Sequence, residues 1–420
     1  MNQADERESS YAWVIVALCF LAMAIPMGVR STFGLLIRPW EVKFGWDRAA
    51  ISLVGSIGFL SNGLARAISG RWADIYGPRV VFVGSFILMA VFTVAMGFIQ
   101  SLWHVYLVFG GGLLLAAGGS ANVTAAVAIS RWFSRNRAFA VGVVAAGGAA
   151  GQLILLPAFA AFMERYGWRT AYFWSGAAVL FIAVPIFLLF FRDDPPEVAR
   201  GEQPREGEGG RPHPLARIAR EVNFWWLIGS FGICGFTTAG LIETHLIPYA
   251  EEIHIDTFTA ATAFGTLGAF NALGTLISGA ISDRWGHKRL LGWIYVGRAV
   301  SLFFLMFVSD PVMLFVFAVA FGLVDFATVP PTTALSTTLF GNRSGGTVFG
   351  LVFLSHQIGS AAGAYAGGLV HDLWGNYQPI FLASAMICFV AAGMSWAINE
   401  EPAPAFAEPA AGCAAGLLAG

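Results

Sequence analysis

The sequence predicts an all-α membrane protein, with twelve transmembrane helices in two pseudo-symmetric six-helix bundles. Three observations carry this: an apolar composition, twelve long apolar runs, and an internal repeat at a nearly constant offset. Of 420 residues, 57% are hydrophobic and only 12% are charged, with a mean hydropathy of +0.69. A soluble domain carries about 25% charged residues, so hydrocarbon must face most of this surface. Glycine (50) and phenylalanine (37) are abundant. Small residues let membrane helices approach closely.

A helix needs about 20 apolar residues to cross a bilayer. Such runs fall at 12–36, 49–70, 79–99, 103–129, 137–161, 170–191, 223–249, 259–280, 289–309, 311–337, 345–370 and 377–398. Residues 1–191 form the N-terminal half and 223–400 the C-terminal half. Between them, 192–222 carries six arginines and the turns Asp194-Pro195-Pro196 and Gly209-Gly210, which reads as a solvated cytoplasmic linker. A short amphipathic stretch from Leu215 to Val222 is expected to end it. Residues 401–420 are rich in Ala, Pro and Gly and are expected to be a disordered tail. The polar start, Met1 to Ser10, followed by a run long enough to span, does not resemble a cleaved signal.

Orientation follows the placement of Lys and Arg. With both termini in the cytoplasm, the outer loops hold five of the 24 (Arg38, Lys43, Arg48, Arg165, Arg169) and the spans hold Arg30, Arg66 and Arg298. The other sixteen lie inside, which predicts a multi-pass protein of the inner membrane with cytoplasmic termini.

The repeat pairs Gly70-Arg-Trp-Ala-Asp74-Ile-Tyr-Gly77 with Gly279-Ala-Ile-Ser-Asp283-Arg-Trp-Gly286, 209 residues later. The same offset pairs Asn62 with Asn271, Pro39 with Pro248 and Asp47 with Asp256. Gly142 with Gly350 and Gly167 with Gly375 follow at 208. One register held over so many positions marks a duplicated unit. In the repeated element, Gly70 and Gly279 are expected to permit close helix crossing, and Gly77 and Gly286 a tight turn. Asp74 and Asp283 are expected to accept from helix N-terminal amides and nearby arginines at a cytoplasmic gate.

This doubled Gly-x-x-x-Asp-x-x-Gly element resembles the signature of the major facilitator superfamily. The resemblance implies two parallel repeats that rock about a substrate site at mid-depth. Arg131-Trp132-Phe133 with Arg137, Ala140 and Gly142 resembles the helix 4–5 junction of monocarboxylate and oxalate:formate transporters. Residues 327–334 and 349–357 resemble bacterial transporters grouped with them. One place departs. Monocarboxylate transporters carry an Asp and an Arg four apart in helix 8, where this chain has Asn271 and Thr275. The arginine stands instead at the related place in helix 2, as Arg66.

Charged groups at membrane depth cost about 2.5–3.5 kcal/mol each on insertion scales, so those retained suggest function. Arg66 lies about 6 Å from the inner end of the 49–70 run. It reads as a clamp for a carboxylate or as a snorkelling side chain beside Asp74. Arg298 and Asp325 lie at matching depths in helices 9 and 10. They read as a structural pair or as a coupling site. Glu243 and His245, before Pro248 in helix 7, read as a proton-sensitive outer gate or as a hydrated helix end. Arg30 is expected to meet Glu243 across the halves when the outer side closes. His356 and Gln357 in helix 11, with Asn62, Asn122 and Asn271, are candidate substrate contacts.

The function expected is secondary active transport of a small organic anion, coupled to protons. A larger aromatic nutrient such as a vitamin, or drug efflux, is the alternative. Enzymatic chemistry is not expected: no nucleophile–base pair, metal cluster or phosphate-binding loop appears. The cysteines (Cys19, Cys234, Cys388, Cys413) lack the spacing of a metal site or disulfide framework. No cofactor is implied, and a net charge of −1 offers nothing to nucleic acid. The expected partners are a small-molecule substrate, the lipid bilayer and protons, with one chain functioning as a monomer.

Overall fold

The structure is a computed structural model that describes residues 10–120, 122–133, 137–193 and 215–401. The expected linker (except its ends) and the tail beyond Glu401 lie outside the described residues, as do the side chains of Asp74, Asn122 and Asp283. Among the described residues there is no strand, and ten helices are long and apolar enough to cross a membrane. We number the spans α1 (Tyr11–Phe44), α2 (Arg48–Tyr76), α3 (Pro78–Met96), α4 (Leu102–Ile129), α5 (Ala140–Tyr166) and α6 (Trp168–Phe190). The second half holds α7 (Val222–Glu252), α8 (Thr257–Trp285), α9 (His287–Leu305), α10 (Pro311–Gly341), α11 (342–374) and α12 (Gln378–Ala397). The two beyond the ten are α9, which carries Lys288, Arg289 and Arg298, and α11, rich in glycine and serine. The expected amphipathic stretch is a single helical turn, Leu215–Ile218.

The halves repeat in detail. The turns between α2 and α3, and between α8 and α9, are made at Gly77 (φ 87°) and Gly286 (φ 85°). That left-handed backbone is the region glycine enters freely. An acid that follows the last span of each half then caps the next helix start: Asp193 accepts from Arg79 N at 2.8 Å, and Glu400 from Lys288 N at 2.7 Å. Arg79 and Lys288 also reach back to the carbonyls of Leu188 and Ile398.

Inside each half the first and fifth spans cross backbone to backbone. A Cβ added at Gly151 would lie 2.1 Å from Ala24 O, and one at Gly359 would lie 2.0 Å from Gly232 O. Both partners are related by 208 residues. Only glycine permits such an approach without displacing main chain. Gly279 is different: a Cβ there would meet only Pro330, at 3.9 Å. The close crossing expected at Gly279 is therefore absent, and its neighbourhood has room for a side chain.

α10 breaks at Asp325, and its cause is local. Pro330 and Pro331 have no N–H to donate. The chain tightens to a 3₁₀ turn at Phe326–Thr328, with Val329 N bonded to Phe326 O. Carbonyls left without intrahelical partners find side chains instead: Ser278 Oγ donates to Ala327 O at 2.6 Å, and Arg298 reaches the carbonyls of Val324 and Asp325.

Candidate functional site between the halves

Two seams join the halves. α2 lies along α11, where Ser56 Oγ donates to Ala361 O (2.6 Å) and Gln357 Nε2 donates to Phe59 O (3.0 Å). α5 lies against α8, where a Cβ added at Gly265 would sit 2.9 Å from Leu153 Cα. Between the seams run α1 and α7, side by side in one register. Arg30 bonds Glu243 and Arg38 Nη1 bonds Glu251 O (2.9 Å), both at a separation of 213 residues. Eight residues separate the two contacts along each helix, about 12 Å.

The Arg30–Glu243 ion pair is nearly buried, with side-chain exposures of 15% and 8%. The Arg30 guanidinium also lies 5.1 Å from the Phe59 ring centre. A void of about 20 Å³ remains beside the pair, lined by Phe59, Phe109 and Leu114 among others. It has room for about one water. Glu243 Oε1 has no hydrogen-bond partner among the described residues.

Arg66 stands seven residues after Phe59 on α2, about two helical turns along. Its Nε donates to Asn62 Oδ1 at 2.9 Å, Asn62 Nδ2 donates to Leu114 O at 3.0 Å, and the guanidinium lies 5.4 Å from the Phe353 ring centre of the other half. Among the described residues no carboxylate is within ion-pair distance of it. α2 continues to Tyr76, not to residue 70. Arg66 is therefore about 15 Å from the helix end, deeper than the 6 Å the apolar run suggested. His356 stacks on Phe353 (5.6 Å, 10°) and contacts Gln357 Oε1 and Ser360 Oγ at 3.3 and 3.4 Å.

Arg298 and Asp325 meet, but not as an ion pair. Arg298 is fully buried and binds main-chain carbonyls at the α10 break, while the Asp325 carboxylate accepts from Asn271 Nδ2 at 2.9 Å. Asn271 Oδ1 in turn accepts from Phe326 N (3.2 Å). The expected carboxylate–guanidinium pair gives way because freed carbonyls already occupy the guanidinium. Asp325 Oδ1 and Arg298 Nε have no partner among the described residues. His245 is not at a hydrated helix end. It is fully buried, held by Tyr377 OH (2.9 Å) and Ala364 O (2.8 Å).

The end remote from Gly77 and Gly286 carries a cluster that the sequence reading passed over. Arg48 Nη2 donates to Glu41 Oε2 (2.6 Å) and Nη1 to Tyr377 OH (3.1 Å), and it also binds Glu252. His371 Nε2 lies 2.7 Å from Glu252 Oε1, and Asp372 accepts from the main-chain N–H groups of Arg48 and Ala49. These groups come from α1, α2, α7, α11 and the α11–α12 turn, so they tie one half to the other. By its place in the sequence alone, Arg48 is an outer-loop charge. The signal available was its place next to Asp47, where an N-cap is due.

The duplicated glycine turns, their matching acid caps and the two equivalent backbone crossings place two copies of one six-helix unit around a charged seam. The Major Facilitator Superfamily profile matches residues 18–297 and 244–418. The chain belongs to the major facilitator superfamily. This facilitator is thus a multi-pass membrane transporter and not an enzyme. It is 27% identical to the uncharacterized MFS-type transporter YcxA of Bacillus subtilis, over 93% of this chain and 95% of that one. It is 24% identical to monocarboxylate transporter 13 of Bos taurus, over 93% and 90%. Its fold matches a bacterial homolog of the human lysosomal transporter Spinster, solved inward-facing and occupied, with a TM-score of 0.75 at 18% identity over 92% of this chain and 97% of that one.

Proposed function

We propose that this facilitator moves a small organic anion across the cytoplasmic membrane by alternating access, with both termini in the cytoplasm and protons as the coupling ion. The observation that carries the reading is Arg66: a guanidinium deep in α2, at the seam, with an amide and a ring as its neighbours and no carboxylate among the described residues. Burying a charge without a counter-charge is costly, and a substrate carboxylate would supply one through two parallel N–H contacts. The likeness to monocarboxylate transporter 13 points the same way. A planar aromatic nutrient is the second reading, favoured by the cluster of Phe231, Phe353 and His356 beside Arg66.

Proton coupling draws on two carboxylates. Glu243 Oε1 and Asp325 Oδ1 are buried acceptors without a donor among the described residues, so each leaves an oxygen free to take a proton. The closed contacts at the Arg48 end, with Arg30–Glu243 below them, make this conformation the one in which that side is shut. Uptake into proteoliposomes, with and without an imposed pH gradient, tests the proposal. Accumulation of a monocarboxylate that follows the gradient supports it. Uptake indifferent to the gradient removes proton coupling, and retention of neutral aromatics alone by a thermal-shift screen favours the second reading.

A further inference from the structure

A cavity of about 520 Å³ opens sideways from the first half, and none of its lining residues comes from the second half. Its walls belong to α1 (Leu21, Ile25), α5 (Phe159) and α6 (Val179, Ile182, Phe187), with Thr93 of α3 at the back. The lips are exposed: Leu155 to 39%, Ile182 to 59% and Trp174 to 60%. All three lie within membrane-crossing helices, so the mouth meets hydrocarbon and not water.

A packed interior leaves few voids larger than a water molecule. This space instead falls within the range of ligand pockets, about 300–1,000 Å³. Its polar groups are few and mostly engaged. Thr32 Oγ1 and Tyr172 OH share one hydrogen bond of 2.5 Å, and Thr93 Oγ1 donates to Met89 O at 2.6 Å. No charged side chain lines it. A transported anion would find no counter-charge there, and a phospholipid headgroup no partner. An acyl chain needs neither.

Irregular backbone borders the opening. Two π-helical segments, Gly151–Leu155 of α5 and Val179–Ala183 of α6, both contribute to the lining. A π turn holds more residues than an α turn, so it shifts the helical register of the side chains around it. Such bulges are frequent at functional sites. The floor is also informative. Thr32 is the residue at which α1 breaks, between Ser10–Ser31 and Phe33–Phe44, and it stands two residues after Arg30.

We propose that this cavity is a lipid-tail site: one acyl chain of a bilayer diacylphospholipid enters between α5 and α6, fills the space, and shores up the broken part of α1 beside Arg30. The site is separate from the route of the transported solute.

The test uses the full chain in nanodiscs of phosphatidylcholine that carries a diazirine midway along one acyl chain. Photolabelling is expected to concentrate several-fold on peptides containing Phe159, Tyr172 and Ile182 over the exposed faces of α9 and α12. Labelling spread evenly over all lipid-facing helices overturns the proposal, because it would show annular lipid only. Labelling suppressed by a water-soluble monocarboxylate overturns it too, because the cavity would then be a solute site. A-to-F changes at the two exposed positions Ala158 and Ala178 fill the mouth without entering packed core. Ala178→Phe is expected to abolish the concentrated label and to make the melting temperature insensitive to delipidation, to which the wild type is sensitive. Equal sensitivity in both proteins overturns the stabilising role. The labelling pattern of the wild type stands whether or not the variants fold.

Discussion

Asp372, at the end of α11, caps the first turn of α2 in the opposite half: its carboxylate accepts from Arg48 N at 3.2 Å and from Ala49 N at 2.7 Å. The residue placed by sequence to do this, Asp47, makes no side-chain cap bond. Its repeat partner Asp256 does cap its own helix, accepting from Thr259 N at 2.9 Å. Hydrogen bonds from the Thr259 hydroxyl and then its main-chain N–H hold that exposed carboxyl below its usual range. The pseudo-symmetry is thus broken where the halves touch. α2 takes its cap from across the seam and must give it up whenever that end opens.

Asp372→Ala is therefore expected to favour the state open at the Arg48 end. A lost N-cap costs about 0.5–2 kcal/mol, or roughly a 2- to 30-fold shift in population. Spin labels on the loops at 45 and 254 would report the distance distribution. An unchanged distribution would show that the cap contributes nothing to the gate, and Asp47→Ala, which removes no bond, serves as the control.

The Arg30–Glu243 pair makes a separate prediction. Removing one member of a buried pair strands the other and costs about 3–5 kcal/mol, while replacing both with apolar residues is often neutral. Glu243→Leu alone is expected to lower the melting temperature strongly, and Arg30→Met with Glu243→Leu to recover most of the loss. Additive losses in the double variant would mean that the two side chains do not act as a pair.

Arg66→Lys keeps the charge and loses the planar fork. If Arg66 holds a substrate carboxylate, one charge-assisted bond is lost, about 1.5–3 kcal/mol, or roughly one to two decades in affinity. Equilibrium binding of a monocarboxylate to wild type and variant decides this. Unchanged affinity with an altered transport rate would assign Arg66 to conformational change instead.

The two glycine turns should not be equally sensitive. Alanine at either position is forced into the left-handed region, a strain of about 1–2 kcal/mol. At Gly77 the added Cβ would also lie 2.8 Å from the Asp193 carboxyl, whereas at Gly286 it would meet Glu400 only at 3.9 Å. Gly77→Ala is thus expected to reduce the melting temperature more than Gly286→Ala. Equal losses would show that Asp193 moves aside freely.

What the sequence by itself determined is the architecture. Twelve apolar runs, the 209-residue repeat and the Gly77 and Gly286 turns are properties of local composition and spacing, and hydrocarbon leaves a backbone almost no other solution than helices. The same reading isolated Arg30, Arg66, Glu243, Arg298 and Asp325, because charge at depth is conspicuous in one dimension. It also paired Arg30 with Glu243, as the structure does, but the other partnerships were decided only in three dimensions. Arg298 passes over the Asp325 carboxylate for main-chain carbonyls that a proline pair and a 3₁₀ turn release. Asp372 passes over its own half to cap α2. The side cavity draws its lining from helices far apart in sequence, α1, α3, α5 and α6, including residues of two π segments. A repeat in sequence fixes what each half can build, but hydrogen bonds are settled by which donor and acceptor arrive within 3 Å, and that depends on how the two halves pack.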